Sequence, residues 1–528
     1  MARPVEKLDR GIVLIASVVV VGAIMSILDT TIVNVALATL SRELHSPLST
    51  IQWVSTGYLV ALAVVIPMTG WASERFGAKR LWMTVVFLFV AGSALSGLAW
   101  SAESLIAFRV IQGLGGGMIM PAGMTILAQA AGPQRIGRVM SVVGAPMLLG
   151  PILGPVLGGL ILQGLSWRWI FFVNLPIGAL ALVLAARLLP ASEPQPCERL
   201  DLKGLALLSP GLAGIVFGLS ETATRGGIAY VGAWFPIVAG LALVAAFVVH
   251  ALRTERPLLD LHLFRAPGFS ASAACVFLIG GSLFGAMLVL PLYLQIERGQ
   301  STLATGLLMA PQGIGAALVM PISGRLTDRI GGGPVVLFGM VVMTIGSVGL
   351  TFLGAGTSFV LTSAILVVRG IGLGCAMMPS MAAAYSTISR AAVPRATTAL
   401  NVLQRVGGSI GTALLAVVLQ DQLKTAVPGG AALASGAVGP VPASVRARIA
   451  TPLTHAFSHT FTWAVVLTAL GLPAAIVLAV KARAGASVGG GAGPGGGAGP
   501  GGGAGPGGAG APGGGVAAPE VVGAGGGS

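Results

Sequence analysis

Asp29 lies in the middle of an uncharged apolar stretch from Gly11 to Leu40, and among 16 acidic residues it is the only one placed that deep. A charge near the centre of a bilayer helix costs ~2.5–3.5 kcal/mol on insertion scales, so an acid there calls for a functional account. Arg109 opens the run Arg-Val-Ile-Gln-Gly-Leu-Gly-Gly-Gly, residues 109–117, with Gln112 one turn further in. Asp29 stands about 18 residues, ~27 Å of helix, above the start of its apolar span, and Arg109 about five residues, ~8 Å, below the opposite start of its own. In a bilayer of about 40–45 Å including headgroups, the two fall at similar height. Desolvation favours the protonated form of such an acid and a nearby guanidinium favours the carboxylate, so small changes in access can load or release a proton. Two plainer readings stand beside this one. Asp29 could be a packing residue bonded to Thr30 or Thr31, and Arg109 could snorkel to the external interface.

Residues set this deep need membrane helices to hold them. The chain of 528 residues is 55% hydrophobic and only 9% charged, with a mean hydropathy of +0.92. That leaves too little polar surface for a soluble globule of this length. Runs of about 20 apolar residues, enough to cross a ~30 Å hydrocarbon core, recur along the chain. Fourteen spans are expected: 12–38, 49–73, 80–100, 104–131, 138–163, 168–190, 203–221, 229–252, 268–296, 302–324, 334–354, 358–388, 395–420 and 456–480. The first is longer than a signal-peptide core and lacks a small-residue cleavage pattern, so it reads as retained.

The net charge of +14 could suggest a nucleic-acid partner, but the positions of the basic residues give a better account. With a cytoplasmic N-terminus, 20 of 30 Lys and Arg fall in cytoplasmic segments and seven in external ones, while Arg109, Arg369 and Arg405 lie inside spans. This is the positive-inside pattern, and it places both termini in the cytoplasm and basic loops against anionic lipid. Cys197, Cys275 and Cys375 have no paired spacing, so neither a disulfide framework nor a metal site is implied.

Two stretches match across the middle of the chain. Gly70-Trp-Ala-Ser-Glu-Arg-Phe-Gly-Ala-Lys-Arg80 follows the second span, and Gly324-Arg-Leu-Thr-Asp-Arg-Ile-Gly-Gly-Gly333 follows the tenth. Each carries an acid-Arg pair, Glu74-Arg75 or Asp328-Arg329, and a glycine turn. A weaker echo links Gly113–Pro121 with Ile371–Pro379. Duplicated halves follow, as in transporters built from repeats. Alone, each acid-Arg loop is a solvated charge run; at matching places they suggest a latch, in which an acid at a helix end holds a neighbouring helix N-terminus or Arg in one state.

In the fifth span, Gly150, Gly154 and Gly158 recur every four residues, with Gly159, Pro151 and Pro155 among them. The stripe lets another helix approach closely, and packing alone would explain it. A functional reading makes it a surface along which the halves rock. Met118, Met120, Met124, Met147, Met377, Met378 and Met381 could line an adaptable apolar pocket or merely fill gaps. Trp53, Trp71, Trp100, Trp167 and Trp169 sit near span ends, where an interfacial belt accounts for them. No phosphate-binding Gly-Lys-Ser/Thr loop, His-Glu-x-x-His or Cys-x-x-Cys arrangement occurs, so neither an ATP motor nor a catalytic constellation is visible.

Leu-Asp-Thr-Thr-Ile-Val-Asn-Val-Ala-Leu at 28–37 resembles the first-helix signature of the fourteen-helix drug:proton antiporters (QacA/EmrB-like) of the major facilitator superfamily. The loop at 70–80, Arg109-x-x-Gln112-Gly113, the Gly150-Pro151…Gly158-Gly159 run and Trp167-Arg-Trp-Ile-Phe-Phe-Val-Asn-Leu-Pro176 resemble further family motifs, over roughly residues 10–480. The resemblance implies an all-α membrane protein of major facilitator fold: two six-helix bundles, 1–190 and 267–483, and inserted helices seven and eight within 191–266, while the Gly/Ala/Pro composition of 484–528 cannot bury a core and implies a disordered tail. It also implies a transporter, not an enzyme, that exports hydrophobic drug-like compounds in exchange for protons by alternating access, with no cofactor.

By position, Asp29 and Arg109 would couple protons. Asn34, Gln112, Met118, Met147, Met377, Gln404 and Arg405 would line the substrate path. Gly70, Glu74, Arg75, Gly77, Arg80, Gly150, Pro151, Gly154, Gly158, Gly159, Asp328 and Arg329 would serve the conformational switch. Glu74 stands where the family usually has Asp, and spans ten and thirteen carry no buried acid that could recognise a cation, which argues against polyvalent cationic substrates. Expected partners are small hydrophobic or cationic substrates, protons and membrane lipids, with no nucleic acid, for a monomer in the plasma membrane. Export of an endogenous lipid, metabolite or self-made antibiotic is the alternative within transport, and a membrane scaffold or sensor is the alternative outside it. No second buried acid is evident to share the task of Asp29.

Overall fold

The computed structural model describes residues 9–132, 135–191, 200–225, 231–255, 257–426 and 448–490. Cys197, residues 427–447 and the tail from 491 lie outside the described residues, as do the side chains of Met147, Pro151 and Pro155. No strand occurs among the described residues. The helices are α1 Arg10–Glu43, α2 Leu48–Val65, α3 Thr69–Phe76, α4 Ala78–Gly97, α5 Ala102–Ala131, α6 Ile136–Gly164, α7 Trp169–Phe172, α8 Asn174–Leu188, α9 Leu202–Arg225, α10 Val231–Arg253, α11 Pro267–Leu292, α12 Thr302–Ile330, α13 Gly332–Leu350, α14 Phe359–Ser386, α15 Val393–Ala426, α16 Ala450–Ala469 and α17 Leu472–Gly490.

Among the described residues, 13 helical spans are long and apolar enough to cross a membrane. Helix α6 occupies the remaining expected span. Three spans are broken where the sequence interrupts the helix. A 3-10 turn, Ile66–Met68, carries Pro67 between α2 and α3. Val173 separates α7 from α8, and Leu470 and Gly471 separate α16 from α17 just before Pro473. A π turn, Tyr293–Glu297, extends α11. The chain divides into a body, Met1–Gly485, and a C-terminal unit, Ala486–Ser528, of which only residues 486–490 are described, as helix.

Within the body, α5 packs on α2 and α4, and α1 on α6 and α8; later in the chain α14 packs on α12 and α13, and α11 on α15. Glycines make these contacts close, because a missing Cβ lets backbones meet. Gly113, Gly115 and Gly117 of α5 lie against Tyr58, Phe89 and Leu62. Gly370, Gly372 and Gly374 of α14 lie against Gln312, Met343 and Ala316. The contacts repeat in register, so the two halves share one internal design. They align Gln112 with Arg369, one residue away from the alignment that the shared Met-Pro ends suggest.

Helices α9 and α10 pair with each other, and α9 also lies against both α2 and α15. Ser209 of α9 donates to the Val64 carbonyl at 2.6 Å, and Phe217 stacks on Trp53 with ring centroids 5.4 Å apart. Trp53, Trp100 and Trp169 are exposed as an interfacial belt requires. Trp167 is not: it is buried, edge-on to Phe171.

Candidate functional site: a buried acid cluster and two cross-half ion pairs

A capping box fixes the start of α5. The Ser101 hydroxyl accepts from the Ser104 N–H, and the Ser104 hydroxyl accepts from the Ser101 N–H. Two turns further in, Arg109 points into the protein and is 1% exposed, so it does not snorkel. Its Nη1 donates to Asp29 Oδ2 at 2.6 Å and to Gln112 Oε1 at 2.7 Å. Its Nε donates to the Val54 carbonyl at 3.2 Å, and its guanidinium lies 4.0 Å over the Tyr58 ring.

Asp29 is 0% exposed. Its Oδ1 accepts from Gln112 Nε2 at 2.9 Å and from Asn174 Nδ2 at 3.0 Å. Asn174 also donates to Ser93 Oγ, which donates to the Phe171 carbonyl. The packing alternative for Asp29 fails, because Thr30 and Thr31 donate instead to carbonyls of their own helix, Ser26 and Ile27. Helices α1, α2, α4, α5 and α8 thus converge on one carboxylate. A buried pair survives desolvation only when extra hydrogen bonds support the ions, and here both Asp29 oxygens accept while Arg109 donates through Nε and Nη1.

Gln112 was expected on a cavity wall; it is wholly buried and completes the Asp29 cluster. Asn174, Ser93 and Tyr58 went unread as site residues. Asn174 had a signal, since it is the lone amide in the stretch from Trp167 to Pro176. Ser93 had none. Asn34 is exposed and accepts from Ser55 Oγ at 3.0 Å.

The acid-Arg loops act across the halves. Gly77 and Gly331 adopt φ of 82° and 86°, a left-handed turn that suits glycine and lets α3 and α12 end on their acids. Glu74 accepts from Arg395 Nε at 3.0 Å and Nη2 at 3.0 Å. Asp328 Oδ2 accepts from Arg138 Nε at 2.7 Å, and Oδ1 takes the backbone N–H of Gly137 at the start of α6 at 2.9 Å. A Cβ on Gly70 would meet Arg395, and one on Gly324 would meet Arg138, so both ends close tightly. Arg75, Arg80 and Arg329 are exposed beside them.

The glycine stripe of α6 does not lie between the halves. A Cβ at Gly150 would strike Ile27, at Gly154 Thr31, and at Gly158 Ile32. All three belong to α1, the helix that carries Asp29. Gly159 has nothing within 4 Å. The halves touch instead along the earlier part of α6, where Gly137 meets Gly324 and Thr327, and Gly144 meets Met320 and Met378. Met377 belongs to the same buried cluster, and Met118 flanks another, so both fill space between helices here.

The second half holds its own buried cation. Arg369 is 0% exposed and donates to Gln312 Oε1 at 2.8 Å, the Ser282 carbonyl at 2.9 Å and Oγ at 3.3 Å, and Ser347 Oγ at 3.3 Å. Gln404 and Arg405 of α15 are half-buried. Contrary to the expectation of a single buried acid, Glu74 and Glu297 are buried as well. Glu297, 3% exposed, ends the π turn and accepts from Thr454 Oγ1 at 2.5 Å. Its position at the very edge of an apolar run hid its burial.

The model of the Major Facilitator Superfamily matches residues 19–412. A "Multidrug resistance protein B homolog" of Mycobacterium tuberculosis is 43% identical over 470 residues, covering 86% of this chain and 87% of that protein. The "Multidrug export protein EmrB" of Haemophilus influenzae is 32% identical over 414 residues, covering 76% and 80%. Among solved structures, the human organic anion transporter MFSD10 superposes with a TM-score of 0.57 at 16% identity, covering 87% of this chain and all of that one. The proton:xylose symporter XylE gives 0.55 at 15%, covering 88% and 96%. Those two likenesses concern the fold alone. With the family model spanning most of the helical body and a relative this similar along nearly its full length, the chain belongs to the Major Facilitator Superfamily, as a multi-pass membrane transporter and not an enzyme.

Proposed function

We propose that the protein exports hydrophobic drug-like compounds across the cell membrane in exchange for protons, by alternating access. The observation that carries the reading is the wholly buried Asp29 carboxylate, held by Arg109, Gln112 and Asn174. Relatives named for multidrug resistance and export support the substrate class. In this reading Asp29 takes a proton from outside as substrate leaves and loses it to the cytoplasm as substrate loads. Each inward proton contributes ~2.3 kcal/mol per 100 mV of membrane potential. The substrate path runs past Asn34, Gln404 and Arg405.

The Glu74–Arg395 and Asp328–Arg138 pairs hold the cytoplasmic end shut, with both termini on that side and the protein acting as a monomer among lipids. Opening that end breaks both pairs and exposes the cavity to the cytoplasm. The test is efflux of fluorescent hydrophobic dyes from proteoliposomes under an imposed pH gradient. Asp29→Asn is expected to abolish gradient-driven efflux in folded protein; unchanged efflux sinks the proton role.

A further inference from the structure

The register of the two halves makes their polar centres comparable. Gln112 and Arg369 occupy matching places on α5 and α14, Tyr58 and Gln312 on α2 and α12, and Ser93 and Ser347 on α4 and α13. In the first half the buried guanidinium meets a carboxylate, Asp29. In the second half every partner of Arg369 is neutral: Ser282, Gln312 and Ser347. Among the described residues no acid pairs with it.

Arg405 adds a second cation on the same side. It is half-buried on α15. Among the described residues it makes no ion pair or hydrogen bond. The two arginines share one support. Gly280 and Gly281 of α11 lie against the Gln404 and Gly407 carbonyls beside Arg405, and the next residue, Ser282, accepts from Arg369. Asp29 is taken up by Arg109, and Glu297, the buried acid of the second half, is held by Thr454 at the end of the π turn, so among the described residues neither Arg369 nor Arg405 has a carboxylate partner. An unpaired guanidinium taken out of water is costly unless an anion meets it, and a planar guanidinium matches a carboxylate in two parallel hydrogen bonds.

We propose that Arg405 is the binding residue for an acidic group on the transported compound, with Arg369, bonded to the same helix α11, adding positive field. The substrate class is then hydrophobic compounds bearing a carboxylate or similar anion, not lipophilic cations. The carboxylate that Arg369 and Arg405 lack is brought by the ligand. The inside-negative potential also drives such an anion outward. This inference rests on the transporter reading, but its test needs no proton gradient.

The experiment is equilibrium binding to the full-length protein in lipid nanodiscs at pH 7.5, read by tryptophan fluorescence. Three probes of one shape are compared: 2-naphthoate, neutral 2-naphthamide and cationic 2-naphthylmethylammonium. The expected result is 2-naphthoate binding at least tenfold tighter than the amide, and the ammonium weakest. Arg405→Gln should erase the difference between acid and amide at an unchanged thermal midpoint, and Arg405→Lys should restore part of it. Equal or weaker binding of the acid, no binding by any probe, or an unaltered preference in Arg405→Gln overturns the proposal. Efflux abolished by Asp29→Asn alongside any of those outcomes would leave the transporter reading standing without this substrate class.

Discussion

Arg395 and Arg138 occupy equivalent places at the starts of α15 and α6, and each gives its guanidinium to the acid of the opposite half, Glu74 or Asp328. In the proposed alternating-access cycle the two bonds would be made and broken together. Glu74→Gln or Asp328→Asn removes one charge from a partly buried pair and should weaken the closed arrangement by ~1–2 kcal/mol, a shift of about 5- to 30-fold in the closed-to-open ratio. Distances between spin labels on the loops after α3 and α12 would report it. The exchanged pair Glu74→Arg with Arg395→Glu should recover the closed population; no recovery would mean the pair does not set that equilibrium.

The Asp29 cluster should behave as one unit. Removing Arg109 alone, as Arg109→Gln, leaves a buried carboxylate uncompensated and should lower stability by ~3–5 kcal/mol. Adding Asp29→Asn should restore most of the loss, since two neutral groups need no counter-charge. Thermal unfolding of the two single variants and the double variant in detergent decides this. Strictly additive losses would show that the two residues do not act as a pair.

Gly154 and Gly159 should respond in opposite ways to the same change. A methyl at Gly154 enters the space of Thr31, and overpacking of this kind costs ~1–3 kcal/mol. Gly159→Ala meets open space and should be silent. Pairing Gly154→Ala with Thr31→Ala should relieve much of the strain. Thermal midpoints of the three variants are the readout, and a harmless Gly154→Ala would mean that α1 and α6 are not locked in this contact.

Asp201, just ahead of α9, gives a pH signature outside the membrane. Burial alone would raise its pKa. The Gly204 N–H, His250 and the Leu258 N–H outweigh that and hold the carboxyl below its usual value. A depressed folded pKa means the stabilisation is present above the unfolded value of about 3.9 and is lost as pH falls through the folded one. Asp201→Asn should therefore cost about 1 kcal/mol at pH 7. The gap to the parent should close below about pH 4 in unfolding curves. A gap that persists there would assign the effect to shape rather than charge.

Hydropathy located the spans because a bilayer imposes one length on every helix, and the rarity of charge singled out Asp29 and Arg109. Even their shared depth followed from counting helical rise. What could not be read was which face each helix turns to which neighbour. The stripe at Gly150, Gly154 and Gly158 announces a close approach but not its partner, which is α1. Ser93 enters the cluster only because α4 brings it there, and serines are too common to stand out alone; Asn174 stands out as a lone amide, but only the packing of α8 shows what it meets. Glu297 was hidden for the converse reason: an acid at a span end looks solvated until packing covers it.

Helix α9 spans the line where α2 meets α15, with Ser209 anchored on Val64 and Phe217 stacked on Trp53. On the opposite flank, α6 and α12 meet with Leu153, Leu160, Leu318 and Ile322 exposed. The inserted pair thus makes the body lopsided toward the bilayer: one side door is boarded over by its own chain, and the other is left facing the acyl chains. In the proposed export role, a greasy molecule dissolved in the leaflet would reach the line between the halves from the α6 and α12 side.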